Sequence, residues 1–246
     1  MNPKIAIQFF GQLRYVEVAH SIYPFIKYFR NRGFEVDLYG TFWDDDYTEK
    51  QIREGQFVGY KSVNLISEPK VKKGDLQKYF YSLEKTLNQR KGDYEFIIFC
   101  RYDLEFIIDE EFSFSKFYEK LSNQFDKPSI FFIPGTKVDD KIDDKLFICN
   151  PAGADKICRT YSAFKNKELD VEHLRYHSSL LASIEFFEIE LFENIEFFTY
   201  DLIRHKYVHD INLDNSLTYG NELLRDYIKK FQDFYEMKKF VENFDK

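Results

Sequence analysis

Two short apolar runs do most to limit what this chain can become. Lys4-Ile5-Ala6-Ile7-Gln8-Phe9-Phe10 and Tyr94-Glu95-Phe96-Ile97-Ile98-Phe99-Cys100 are β-prone and almost without polar alternation. Runs of that length and character suit strands buried on both faces, and such strands belong to parallel sheets covered by helices on either side. The sequence between them agrees. After the first run, Ile22, Phe25, Ile26 and Phe29 recur at helical spacing, and Gly33 supplies a helix stop. Residues 34–42 then read as a second strand. Strand, helix, strand in that order implies parallel pairing through a crossover helix.

The same reading extends along the chain. Thr48 followed by Gln51 has the form of a capping box and opens a short helix. Residues 62–67 read as a third strand, closed by Pro69. Asp75 caps a helix that carries Tyr79, Leu83 and Leu87 on one face and runs to about Arg90, before Gly92. Further strands are expected at 129–133 and 195–199, and 145–149 is an apolar stretch. Helices are expected near 115–124, from Asp170 onward, and over 221–243. A length of 246 residues corresponds to roughly 1.6 average domains. No repeat, linker or low-complexity tract divides it. The expectation is an α/β protein: one domain over residues 1–210, built on a mixed, mostly parallel sheet flanked by helices, and a helical C-terminal extension over 211–246.

Charge and cysteine usage exclude several classes. Lys and Arg total 35 against 42 Asp and Glu, a net charge of −7. A generic nucleic-acid binder is expected to be basic, so no nucleic-acid partner is expected. Cys100, Cys149 and Cys158 form no C-x-x-C pair, and each lies beside apolar residues. That predicts buried, reduced thiols and argues against a structural zinc. No run approaches the ~18 uncharged apolar residues of a membrane span. The sequence from Met1 has no signal-peptide layout. A cytoplasmic protein is expected, with membrane contact no more than peripheral.

The chemistry concentrates at the ends of the expected strands. Asp103-Leu104-Glu105 directly follows the apolar run ending at Cys100. In an open parallel sheet, ligands bind beyond the carboxyl ends of the strands. Two carboxylates there suit a hard divalent cation such as Mg²⁺ or Mn²⁺, which bridges diphosphate oxygens and stabilises charge on a departing diphosphate. A solvated strand end is the plain alternative. Gly11-Gln12-Leu13-Arg14 closes the first strand and opens the first helix. Such a turn lets backbone approach a phosphate, and Arg14 adds a bidentate contact. It is neither G-x-G-x-x-G nor a Walker loop. Asp139, Asp140, Asp143 and Asp144 form an acidic run in which Asp144 abuts an apolar segment; solvated loops account for most such runs. Glu172-His173 and His177 share one expected helix, without the spacings of zinc proteases. Glu172 suits a general base for a sugar hydroxyl. His205 and the pair His209-Asp210 are weaker signals. No G-x-S-x-G elbow supports a hydrolase triad.

Taken in order, these segments resemble the compact GT-A-type glycosyltransferases of bacterial surface-polysaccharide clusters and of large viruses and phages. The resemblance rests on Phe10-Gly11-Gln12-Leu13-Arg14, Leu38 to Asp44, Phe96 to Phe106, Asp143 to Phe147, and Glu172-His173-Leu174 with His177. It covers roughly residues 4–205. It implies a Rossmann-like fold, a nucleotide-diphosphate sugar as donor, and a glycan or lipid-linked acceptor. Gly11, Gln12, Arg14, Arg101 and Asp103 would seat the donor. A divalent cation, Mn²⁺ or Mg²⁺, would sit at Asp103 and Glu105, although not every member depends strictly on metal. Glu105 stands where the family carries a second aspartate, so either both acids or Asp103 alone would touch that cation. Asp144 and Glu172 are the catalytic candidates. Two rivals stand beside this reading. One is a nucleotidyltransferase acting on a sugar phosphate, for which a glycine- and lysine-rich first loop is expected and absent. The other is a non-catalytic nucleotide-binding or scaffolding module.

Overall fold

The computed structural model describes residues 3–13, 26–27, 29–69, 75–107, 116, 118–119, 122, 127–133, 144–170, 176–192 and 199–202, with backbone alone at 75, 105–107, 176–177 and 199–202. The strands are β1 (Lys4–Gly11), β2 (Glu35–Trp43), β3 (Ser62–Ile66), β4 (Phe96–Cys100), β5 (Leu104–Ile107), β6 (Ser129–Phe132), β7 (Leu146–Cys149), β8 (Glu190–Phe192) and β9 (Thr199–Leu202). The helices are α1 (Asp46–Arg53), α2 (Asp75–Glu84), α3 (Pro151–Ile157), α4 (Thr160–Lys165) and α5 (Tyr176–Phe186). Seven strands form one sheet in the order β3-β2-β1-β4-β7-β6-β8. β1 pairs in parallel with β2 and β4, β2 with β3, and β6 with β8, while β7 runs against both β4 and β6. The fold class is therefore the expected one: α/β, with a mixed, mostly parallel sheet flanked by helices.

The apolar runs explain this order. β1 and β4 lie side by side, with Ile5 opposite Phe96 and Phe9 opposite Cys100, and every residue of β4 is buried. One face of the sheet sends Ala6, Phe10, Ile97, Phe99, Phe147 and Cys149 into a cluster with Phe80 and Leu83 of α2, Ala154 and Ile157 of α3, and Leu180 and Ile184 of α5. The Phe99 and Phe147 rings stack at 4.9 Å. On the other face, Phe29 and Phe34 pack against Phe96. Burying one such ring stabilises the fold by roughly 2–3 kcal/mol.

Local details depart from expectation. α1 is capped by Asp45, whose carboxylate accepts from the Thr48 amide at 2.7 Å. Thr48 lies inside the helix and is buried. α2 ends at Glu84, short of Arg90. α3 and α4 had no counterpart in the expected pattern. α3 begins with Pro151 at its first turn and is capped by Asn150, whose side-chain oxygen accepts from both the Gly153 and Ser129 amides. That one side chain ties α3 to β6. β5 pairs antiparallel with β9 in a separate two-stranded sheet. All three cysteines are buried and unbridged, as expected, and burial pushes the Cys100 and Cys149 thiols well above their ordinary range. No helix among the described residues is long and apolar enough to cross a membrane. The extension over 211–246 lies outside the described residues.

Candidate functional site

Strand direction brings the candidates together. β1, β2 and β4 run in parallel, so Gly11, Trp43 and Arg101 emerge at one edge of the sheet. β7 runs the opposite way, so the residues that precede it, Asp144 and Lys145, arrive at that same edge. The Arg101 amide donates to the Lys145 carbonyl at 3.0 Å. The Tyr79 hydroxyl of α2 donates to the Asp144 carbonyl at 2.9 Å. The Lys145 ammonium lies 3.5 Å from the Asp144 carboxylate. Lys145 was not singled out from the sequence; a cation between Asp144 and an apolar strand was the available signal.

The turn after β1 is set by its glycine. Gly11 has φ of +90°, and a Cβ placed there would meet nothing within 4 Å. Glycine is required at this point by backbone conformation rather than by crowding. Gln12 is exposed and Leu13 is buried. Arg14 lies outside the described residues.

The centre of the site is the pair Arg101–Asp103. The Arg101 Nε donates to one Asp103 oxygen at 2.9 Å, and a terminal nitrogen donates to the other at 2.6 Å. Asp103 is 1% exposed and Arg101 24%. This is the planar fork that arginine forms with a carboxylate. Between them, Tyr102 turns into the core, against Phe9 at 5.2 Å, Phe42 at 5.9 Å and Phe57 at 5.9 Å. Sequence position alone makes Tyr102 a candidate for stacking on a sugar, but at 6% exposure it is a core ring. Trp43 is only partly buried and stacks on Tyr81 with the ring planes nearly parallel and the centroids 6.2 Å apart.

A divalent cation at Asp103 does not fit this arrangement. Both carboxylate oxygens already accept from a guanidinium, and the group has almost no contact with solvent from which a hydrated ion would enter. A dication would also sit beside the arginine's positive charge. No group of three or more His, Cys, Asp or Glu able to hold a metal occurs among the described residues. The Glu105 backbone lies in β5 opposite Asp201 of β9, a register the sequence did not disclose; the side chains there lie outside the described residues. So do Asp139, Asp140, Asp143, Glu172, His173, His205 and the pair His209-Asp210, and the side chain of His177. A groove of about 680 Å³ lined by Glu84, Asn88, Arg159 and Ser162 among others involves none of the candidate residues.

No protein-family model matches the sequence, and no curated protein matches it. Among solved structures, the fold is similar to a glycosyltransferase involved in the glycosylation of the major capsid of PBCV-1. That match has 9% identity and a TM-score of 0.46, and covers 77% of this chain and 81% of that one. It is also similar to a Drosophila β1,4-galactosyltransferase 7 mutant in complex with manganese, UDP-Gal and xylobiose, at 9% identity and a TM-score of 0.40, over 88% and 77% of the two chains. A third is the 4-diphosphocytidyl-2C-methyl-D-erythritol synthase of Anaerococcus prevotii, at 13% identity and a TM-score of 0.43, over 79% and 90%. Glycosyltransferases are thus among the solved folds this chain is similar to. At these scores the likeness describes an arrangement of strands and helices and assigns no substrate or residue.

Proposed function

We propose that this chain is a glycosyltransferase that takes a sugar from a nucleotide-diphosphate donor and passes it to a glycan or lipid-linked acceptor. The observation that carries the reading is the arrival of two cationic residues and a glycine turn at one edge of the mixed sheet, where the parallel strands β1 and β4 end and the antiparallel β7 begins. Arg101 and Lys145 suit a departing diphosphate, and Gly11 allows backbone to approach it. Gln12 and Arg14 extend that contact, and Asp144 faces the donor sugar or the acceptor. In an inverting transfer, Glu172 takes the proton from an acceptor hydroxyl. The acceptor oxygen then bonds to the anomeric carbon, and the bond to the diphosphate oxygen breaks with its electron pair. Residues 1–210 would hold this machinery, with 211–246 as an extension.

The first test is a thermal-shift screen of UDP-, GDP-, CMP- and dTDP-sugars, followed by an assay for release of the free nucleotide. A donor at a hundred times its dissociation constant adds about 2.7 kcal/mol of stability. A stabilising UDP-, GDP- or dTDP-sugar that is turned over supports the reading, and turnover of a CMP-sugar alone, whose leaving group carries a single phosphate, counts against it. Release of pyrophosphate from a nucleoside triphosphate plus a sugar phosphate would favour the nucleotidyltransferase instead. Glu172→Gln is expected to abolish transfer while donor binding survives; unchanged turnover would remove Glu172 from the mechanism.

A further inference from the structure

Arg101 and Asp103 stand two residues apart, and their paired hydrogen bonds therefore join no distant parts of the chain. A buried ion pair is weak grounds for stability in any case, because desolvation offsets most of the attraction. What the pair does achieve is orientation. The guanidinium has five N–H donors in a fixed plane, and the two fork bonds to Asp103 set that plane. Exposure is divided unequally: 24% for the arginine, 1% for the aspartate. The acid is the hidden partner and the base the presented one. The Arg101 amide is itself fixed to the Lys145 carbonyl at 3.0 Å, so backbone and head group are both held.

We propose that Asp103 is a positioning residue: it holds the Arg101 guanidinium at the carboxyl edge of the sheet, and the guanidinium, rather than a metal bound to Asp103, receives the donor's diphosphate. This rests on the glycosyltransferase reading and specifies how that same site recognises its donor. Arginine suits the task because its fork matches phosphate oxygens and its charge persists at any working pH.

The test is calorimetric titration of the full chain with UDP, GDP and dTDP, and with the matching nucleosides, in excess EDTA and then in Mn²⁺. The wild type is expected to bind at least one of the diphosphates in EDTA. Asp103→Asn and Arg101→Lys should each weaken that diphosphate by about tenfold or more, equally with and without Mn²⁺, and leave the matching nucleoside unchanged. The double variant should be no weaker than the weaker single, because both act through one contact. A residue that only supported the fold would weaken nucleoside and diphosphate together, and that result overturns the proposal. So does an Asp103→Asn variant that loses only a Mn²⁺-dependent increment, since Asp103 would then be a metal ligand; the glycosyltransferase reading would survive it. A wild type that binds no nucleoside diphosphate in either condition overturns both.

Discussion

The sheet buries an aspartate near each of its two edges, and the two are held differently. At the amino edge Asp37 of β2 is 4% exposed. It meets the Lys4 ammonium of β1 at 2.9 Å, the Lys61 ammonium at 3.5 Å and the Tyr94 hydroxyl at 2.8 Å. The Tyr94 and Tyr39 hydroxyls are 2.6 Å apart. Its partners come from three separate stretches of chain, so the network staples β1, β2 and the entry to β4 together. At the carboxyl edge Asp103 is equally hidden, yet its fork is with an arginine two residues away. The first aspartate is explained by the fold; the second is explained by what its partner is held to do. A buried charge whose partners come from distant segments and one forked to a neighbour two residues away deserve different readings, although both appear as ion pairs.

Several changes would break or sharpen this contrast. The largest effect is expected from Arg101→Ala, which leaves the Asp103 carboxylate buried without its counter-charge at a cost of about 3–5 kcal/mol; chemical denaturation reads it. Next comes Asp37→Ala, which removes an acceptor shared by two lysines and a tyrosine, at about 2 kcal/mol. The informative control is the double replacement Arg101→Met with Asp103→Leu. Swapping a whole buried pair for apolar groups is often near neutral, so its stability should fall within about 1 kcal/mol of the parent while nucleoside-diphosphate binding weakens by about tenfold or more. A double variant destabilised as much as Arg101→Ala would make the carboxyl-edge pair a staple after all.

The smallest effect is a pH dependence at the amino edge. Burial pushes the Asp37 carboxyl up, but hydrogen bonds from Lys4 and Tyr94 and the nearby lysine charges outweigh it and hold it below the ordinary 3.8. A depressed carboxyl contributes stability above its unfolded value and loses it as pH falls through the folded one. Stability measured below about pH 4 should therefore fall less steeply in Asp37→Asn than in the wild type. Equal slopes would show that Asp37 is not among the groups that set acid sensitivity.

Much of the central sheet was legible because β1 and β4 are buried on both faces, and that leaves a plain apolar signature. The direction of β7 was not legible. Its four residues, Leu146 to Cys149, are as apolar as a parallel strand, and only pairing discloses that Asp144 and Lys145 arrive beside Arg101. α3 and α4 were missed although Asn150-Pro151 is an N-cap and first-turn signature; each helix is short, and neither builds a clear period. At the site, the presence of Arg101 and Asp103 was plain from the sequence, but their mutual engagement was not. D-x-E after a buried strand reads as a cation site until the arginine two positions earlier is seen to occupy both oxygens. Tyr102 failed as a stacking candidate for a related reason: position at a strand end does not say which way a ring turns.

One tryptophan in the chain makes the central claim directly measurable. Trp43 ends β2, and β1 alone separates β2 from β4 and Arg101, so two strand spacings of ~4.8 Å each divide them. Titration with UDP, GDP and dTDP, read by Trp43 emission, should give a saturable change with at least one of them. In the folded Arg101→Met, Asp103→Leu variant that change should require about tenfold more nucleotide or higher. Silence from the wild type, or the same saturation curve from the variant, would contradict a diphosphate held at this edge by Arg101.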